Sequence, residues 1–131
     1  MSPRAMTKTG YVLTGLFALF MLGASIAPKF LGMDVAAETI TALGWSADYV
    51  PMIGSFELAF LVLYLIPRTS VLGAVLMTAL LGGAMATHIR VGSPLFSHIL
   101  FSIYLALFMW GGLWLRSPAL RAVFPLLSHK D

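Results

Sequence analysis

The stretch VPMIGSFELAFLVLYLI, Val50 to Ile66, decides the fold. A helix needs roughly 20 mostly apolar residues to cross a hydrocarbon core of about 30 Å, and this run comes close with a single charge, Glu57. An ionisable group at that depth costs roughly 2.5–3.5 kcal/mol on insertion scales and ordinarily faces other helices. Three more stretches have the same character: Gly10–Ala27 (GYVLTGLFALFMLGASIA), Ser70–Thr87 (SVLGAVLMTALLGGAMAT) and Leu95–Leu115 (LFSHILFSIYLALFMWGGLWL). Proline marks their edges at Pro28, Pro51, Pro67, Pro94 and Pro118. The predicted fold is an all-α membrane protein, one four-transmembrane-helix bundle over residues 1–131, with spans near 10–27, 50–66, 70–87 and 95–115.

Composition agrees. The 131 residues are 60% hydrophobic and 10% charged, with mean hydropathy +0.94. Soluble domains carry about 25% charged residues. Too few polar residues are available to cover a water-facing surface. The eight Lys and Arg residues are scattered singly, so no nucleic-acid partner is expected. With no cysteine, disulfides, thiolate metal sites and thiol redox chemistry are excluded. Outer-membrane strands would show about 10-residue segments of alternating polarity, and none occurs. The first span resembles a signal peptide in its Arg4–Lys8 basic region and its Ser25-Ile26-Ala27 end, but Pro28 would follow the cut directly.

Orientation follows the cations, which favour the cytoplasmic side. With both termini inside, the cytoplasmic flanks hold Arg4, Lys8, Arg68, Arg116, Arg121 and Lys130, whereas the outer loops hold only Lys29 and Arg90. The expected location is the cytoplasmic membrane, with both termini in the cytoplasm. In the long first connection Met33, Ala36, Ala37, Ile40 and Leu43 recur at helical spacing, with Asp34 at the start and Gly44 at the end. They predict a short extracytoplasmic amphipathic helix. Ser117-Pro118 is an N-cap followed by a first-turn proline, and Leu120, Val123, Phe124 and Leu127 predict a C-terminal interfacial helix. Ala79, Gly82, Gly83 and Ala86 form a small-residue stripe on the third span, expected to pack within the bundle, the alternative being a dimer seam.

The polar residues are the candidate site. Glu57 lies eleven residues from Arg68, about 16 Å of helix; His88 and His98 each lie eighteen residues from the opposite ends of their spans, about 27 Å. Glu57, His88, Arg90 and His98, with Lys29, are thus expected in the outer half of the bundle, with no comparable polar set in the inner half. They could relay protons, hydrogen-bond a lipophilic ligand such as a quinone, or, for Glu57 alone, serve as a neutral structural acid bonded to a hydroxyl such as Ser25, Ser102 or Thr87. The depth difference of about 10 Å opposes co-ligation of a metal by Glu57 and both histidines, and no metal site is assigned. Met77, Met85 and Met109 are expected as core filler, and Tyr64 and Tyr104 as packing residues with bonded hydroxyls.

Ile53–Leu58 (IGSFEL), Pro67, Ala86–Pro94 (ATHIRVGSP), Phe96–His98 (FSH) and Trp114–Pro118 (WLRSP) together resemble the DoxX-like family of small four-span bacterial membrane proteins. The matching positions are Gly54, Glu57, His88, Arg90, Pro94 and His98. The family takes its name from a membrane subunit associated with thiosulfate:quinone oxidoreductase. The resemblance therefore implies a quinone-binding subunit associated with an oxidoreductase, in which another subunit or a cofactor carries the electrons. The competing expectations are a non-catalytic scaffold, docking a second copy or a larger partner subunit, and, further behind, a small proton-coupled carrier. Membrane lipid is the remaining expected partner.

Overall fold

Ser2 opens the first span. Its Oγ accepts from the Ala5 amide at 3.1 Å, and Pro3 takes the first helical position, where a missing N–H removes no bond. The computed structural model, which describes residues 1–128, carries this helix from Pro3 to Phe30, beyond the 10–27 expected at both ends. Pro28 does not stop it because the turn before it, Met21–Ile26, is wide: the Ala27 amide donates to Leu22 O, five residues back. A proline in a regular helix crowds the carbonyl four residues earlier, and a widened turn relieves that conflict. Across this turn the buried positions step by five, from Met21 to Ile26.

The other spans run Ala47–Leu65, Pro67–Arg90 and Leu95–Arg116, close to expectation. Ile66 leaves the helix for an extended conformation because Pro67 follows it. The second and third spans then cross tightly. A Cβ on Gly73 would collide with the backbone of Leu63 and Tyr64, so only glycine fits there. Gly92, at φ +72°, turns the chain between the third and fourth spans.

The spans form a four-helix bundle. The first packs along the fourth, the fourth on the third, the third on the second, and the far half of the first on the second. Phe17, Leu61, Tyr64, Met77 and Met109 fill its centre. Large apolar side chains on all four spans, such as Leu19, Val62, Val75 and Leu107, point outward, as lipid contact demands.

Two expectations about packing are corrected. Ala79, Gly82, Gly83 and Ala86 are exposed rather than packed within the bundle, and a Cβ on Gly82 or Gly83 would meet nothing within 4 Å. The close approach between helices falls instead at Gly10 and Gly112, where a Cβ on Gly10 would lie 2.7 Å from Gly112 O. The end that carries the termini also has its own polar set. Tyr64 OH donates to Met109 O at 2.6 Å and lies 3.1 Å from Thr14 Oγ1, to which Arg116 Nε donates at 3.3 Å. Tyr64 is the packing residue with a bonded hydroxyl that the sequence predicts.

The short helix of the first connection, Asp34–Ala42, packs Ala36 and Ile40 on Val50 and Ile53 at the far end of the bundle. Met33, expected on the same stripe, is exposed. The C-terminal helix, Pro118–Val123, is capped by Ser117 Oγ and buries Leu120. It ends before Leu127 because Phe124 precedes Pro125 and is extended. Its return is fixed by Arg121 Nη1, which donates to Trp114 O at 2.8 Å, and by Trp114 Nε1, which donates to Phe124 O at 2.9 Å. Lys130 lies outside the described residues.

Candidate functional site at Lys29, Ser25 and Glu57

Glu57 occurs midway along the second span and is only 6% exposed. Desolvating a carboxylate at such a place requires an opposite charge and hydrogen bonds. Both come from the first span. Lys29 Nζ sits 2.9 Å from Glu57 Oε1, and Ser25 Oγ donates to Oε2 at 2.7 Å. Ser25 and Lys29 are one helical turn apart, so they also bond each other: Lys29 Nζ donates to Ser25 Oγ at 2.9 Å and to Ser25 O at 3.1 Å. Every ammonium donor is thereby used, and the carboxylate has a charged donor on one oxygen and a neutral one on the other.

Glycine makes room for this arrangement. Gly54 is one turn before Glu57, and a Cβ there would press on Lys29 Cβ at 3.1 Å and on Phe30. The lysine stem lies along that bare backbone and delivers its ammonium to the next turn. Two clefts adjoin it beneath the Asp34–Ala42 helix. One, of about 150 Å³, is lined by Ser25, Pro28, Lys29, Ala36, Thr39 and Ile40. The other, of about 230 Å³, is lined by Lys29, Met33, Asp34, Ala37, Val50 and Pro51. Lys29 borders both.

Of the residues expected to form one site, Glu57 and Lys29 come together, apart from the histidines. The partners of Glu57 are Ser25 and Lys29, whereas the histidines pair with each other, ring centroids 5.7 Å apart. His88 Nδ1 bonds Ser93 Oγ at 2.9 Å, and His98 Nδ1 bonds Ser97 Oγ at 2.7 Å. Arg90 is exposed and makes no ion pair among the described residues. No three His or acidic side chains converge among the described residues. Of the three hydroxyls proposed for Glu57, Ser25 is the one used; Thr87 bonds Gly83 O within its own helix. The outer cluster is therefore two separate groups, a buried ion pair between the first two spans and an imidazole pair between the last two.

The apolar run predicts a first span ending at Ala27, which makes Lys29 a cation capping the outer end, whereas the helix runs on to Phe30. The role of Lys29 follows from the helix continuing through Pro28. The signal available in the sequence was the Ser25–Lys29 spacing of four, set against an embedded acid with no charge partner in its own span.

No curated protein and no solved structure matches the chain. One family description, that of the DoxX-like family, fits residues 12–112, a range that includes Ser25, Lys29, Glu57 and both paired histidines. Four apolar helices and a match across most of the sequence lead to one conclusion: this multi-pass membrane protein belongs to the DoxX-like family.

Proposed function

We propose that the chain is a ligand-holding subunit of a bacterial inner-membrane assembly, associated with an oxidoreductase, and that its ligand is a quinone or similar lipophilic molecule with a polar head. The observation that carries this is Lys29, a largely buried ammonium bordering two clefts beneath the Asp34–Ala42 helix. Ligand sites of this kind combine apolar walls with a few convergent polar groups. A dry cavity of about 150 Å³ holds one benzene-sized ring, so the smaller cleft suits a ring whose tail stays in lipid. Lys29 can turn a donor from Ser25 O to a ring carbonyl without giving up Glu57. Glu57 holds that ammonium in place through the ion pair, and Ser25 fixes the carboxylate. A bound quinone would supply the electron carrier that a cysteine-free chain lacks.

The test is extraction of lipids from the purified protein, followed by mass spectrometry and by titration with a short-chain ubiquinone. Lys29→Met combined with Glu57→Leu removes the charges while keeping the volume. The wild type should co-purify a quinone-class lipid and the double variant should lose it, with unfolding curves confirming an intact bundle. Equal retention by both proteins would overturn the assignment.

The outward stripe Ala79, Gly82, Gly83 and Ala86 favours a second reading, a scaffold that docks another copy or a partner helix, since none of the described residues covers it. Gly82→Leu should then break assembly in cross-linking experiments without loss of monomer stability, whereas the Glu57 substitution leaves assembly intact.

A further inference from the structure

The histidine pair has a geometry that bundle packing alone does not explain. His88 is in the last turn of the third span and His98 in the first turns of the fourth, on either side of the Gly92 turn. The turn is closed by the Ser93 amide, which donates to His88 O at 3.0 Å. The same Ser93 holds His88 through Nδ1, and Ser97 holds His98 through Nδ1. Neither Nε2 has a hydrogen-bond partner among the described residues. With each Nδ1–H donated to its serine, the lone pair on each Nε2 is free.

This is how a metal-binding imidazole is prepared: one ring nitrogen is anchored by an outer hydrogen bond, which sets tautomer and ring direction, and the other is left for the ion. The spacing also fits. Two imidazoles binding one ion at about 2.0–2.1 Å, at a near-tetrahedral angle, have ring centres on the order of 5–6 Å apart. The observed separation is 5.7 Å, with the planes at 63°. An edge-to-face ring contact accounts for the distance. It does not account for two separate serine anchors, each on the same type of nitrogen.

We propose that His88 and His98 form a second site, independent of Lys29 and Glu57, that takes one late first-row divalent cation. The ligands are both Nε2 atoms, and water completes the coordination because no third His or acidic side chain converges there among the described residues. Imidazole nitrogen with open positions selects Cu²⁺ over Ni²⁺ and Zn²⁺. His98 is exposed and His88 half-buried, so the ion exchanges with solvent rather than holding the fold together. The exposed Arg90 guanidinium, two residues beyond His88, repels the cation and keeps the site labile.

The test uses the full chain, stripped with chelator in dodecyl maltoside micelles and titrated with Cu²⁺ in a non-coordinating buffer. Low-temperature electron paramagnetic resonance should show one Cu²⁺ per chain with hyperfine structure from two nitrogens. His88→Asn and His98→Asn should each remove the two-nitrogen signal. His129→Ala, at the third histidine, should keep it. Ser93→Ala and Ser97→Ala should each weaken Cu²⁺ binding by about tenfold, the lower end of the usual outer-partner effect. Near-ultraviolet circular dichroism matching the wild type establishes that each variant is folded. His98 is exposed, so its replacement opens no cavity and gives the deciding result should His88→Asn unfold. A two-nitrogen signal that survives His98→Asn, or no binding above that of empty micelles, would overturn the proposal.

Discussion

Lys29 commits all three of its ammonium donors inside the protein, to Glu57 Oε1, Ser25 Oγ and Ser25 O. Removing one partner from a buried ion pair leaves the other charge uncompensated and costs about 3–5 kcal/mol, whereas replacing both by apolar groups of similar volume is often neutral. Glu57→Leu and Lys29→Met should therefore each lower stability by about 3 kcal/mol, and the two combined should recover most of the loss. Unfolding in mixed micelles of the four proteins measures the coupling directly. Strictly additive losses would mean that the two charges do not stabilise one another. Glu57 was legible in the sequence because it is the one acid within the four apolar runs, and Ser25 because hydroxyls able to reach it are few. The separation from His88 and His98 was not. Counting residues along a helix gives depth, but which residues meet also depends on the rotation of each helix about its axis, and a nearly uniform apolar sequence carries little information about rotation. The short serine anchors of the histidines, at Ser93 and Ser97, were in view but were not distinguishable from ordinary turn residues.

At the scale of the helix, the wide turn Met21–Ile26 decides whether the site exists. A regular helix turns about 100° per residue, so one additional residue in the turn rotates everything after it by that amount relative to everything before it. Phe17 and Met21 face the core ahead of the turn, and Ile26, Pro28 and Lys29 face it beyond. Both faces point inward only because the turn absorbs the additional residue. Deleting Gly23, whose position is open and free of neighbours, should remove the additional residue, restore regular hydrogen bonding and leave Ser25 and Lys29 facing Glu57. On that background Glu57→Leu should still cost about 3 kcal/mol in the same unfolding assay, because the pair survives. A cost below about 1 kcal/mol would show that the turn does not absorb the additional residue. Apolar runs and prolines made the four spans legible, and the Asp34 and Ser117 starts located both short helices. The wide turn was not legible, since Pro28 after a run ending in small residues reads as a stop. Only the tertiary requirement that Lys29 reach Glu57 identifies it as a detour.

Across the whole molecule, charge divides by end. Because the first and fourth spans are antiparallel neighbours, Arg4 and Lys8 lie at the same end as Arg116 and Arg121, and the short link between the second and third spans adds Arg68 there. Asp34, Glu38 and Asp48 lie at the other end, in and beside the helix over the Lys29 clefts. Moving one charge across the membrane potential is worth about 2.3 kcal/mol per 100 mV, so five cations retained on the negative side bias insertion strongly. The termini should therefore be cytoplasmic, and the clefts and the histidine pair should face away from the cytoplasm. The chain has no cysteine, so single introduced thiols report orientation without background. Ala42→Cys closes the short helix at the far end, and Ser128→Cys lies beyond the C-terminal helix; both positions are exposed. In bacterial spheroplasts a membrane-impermeant maleimide should label Ala42→Cys at once and Ser128→Cys only after permeabilisation. The reverse pattern would place Lys29 and Glu57 near the cytoplasmic surface, and a ligand or metal would then have to reach both sites from inside the cell.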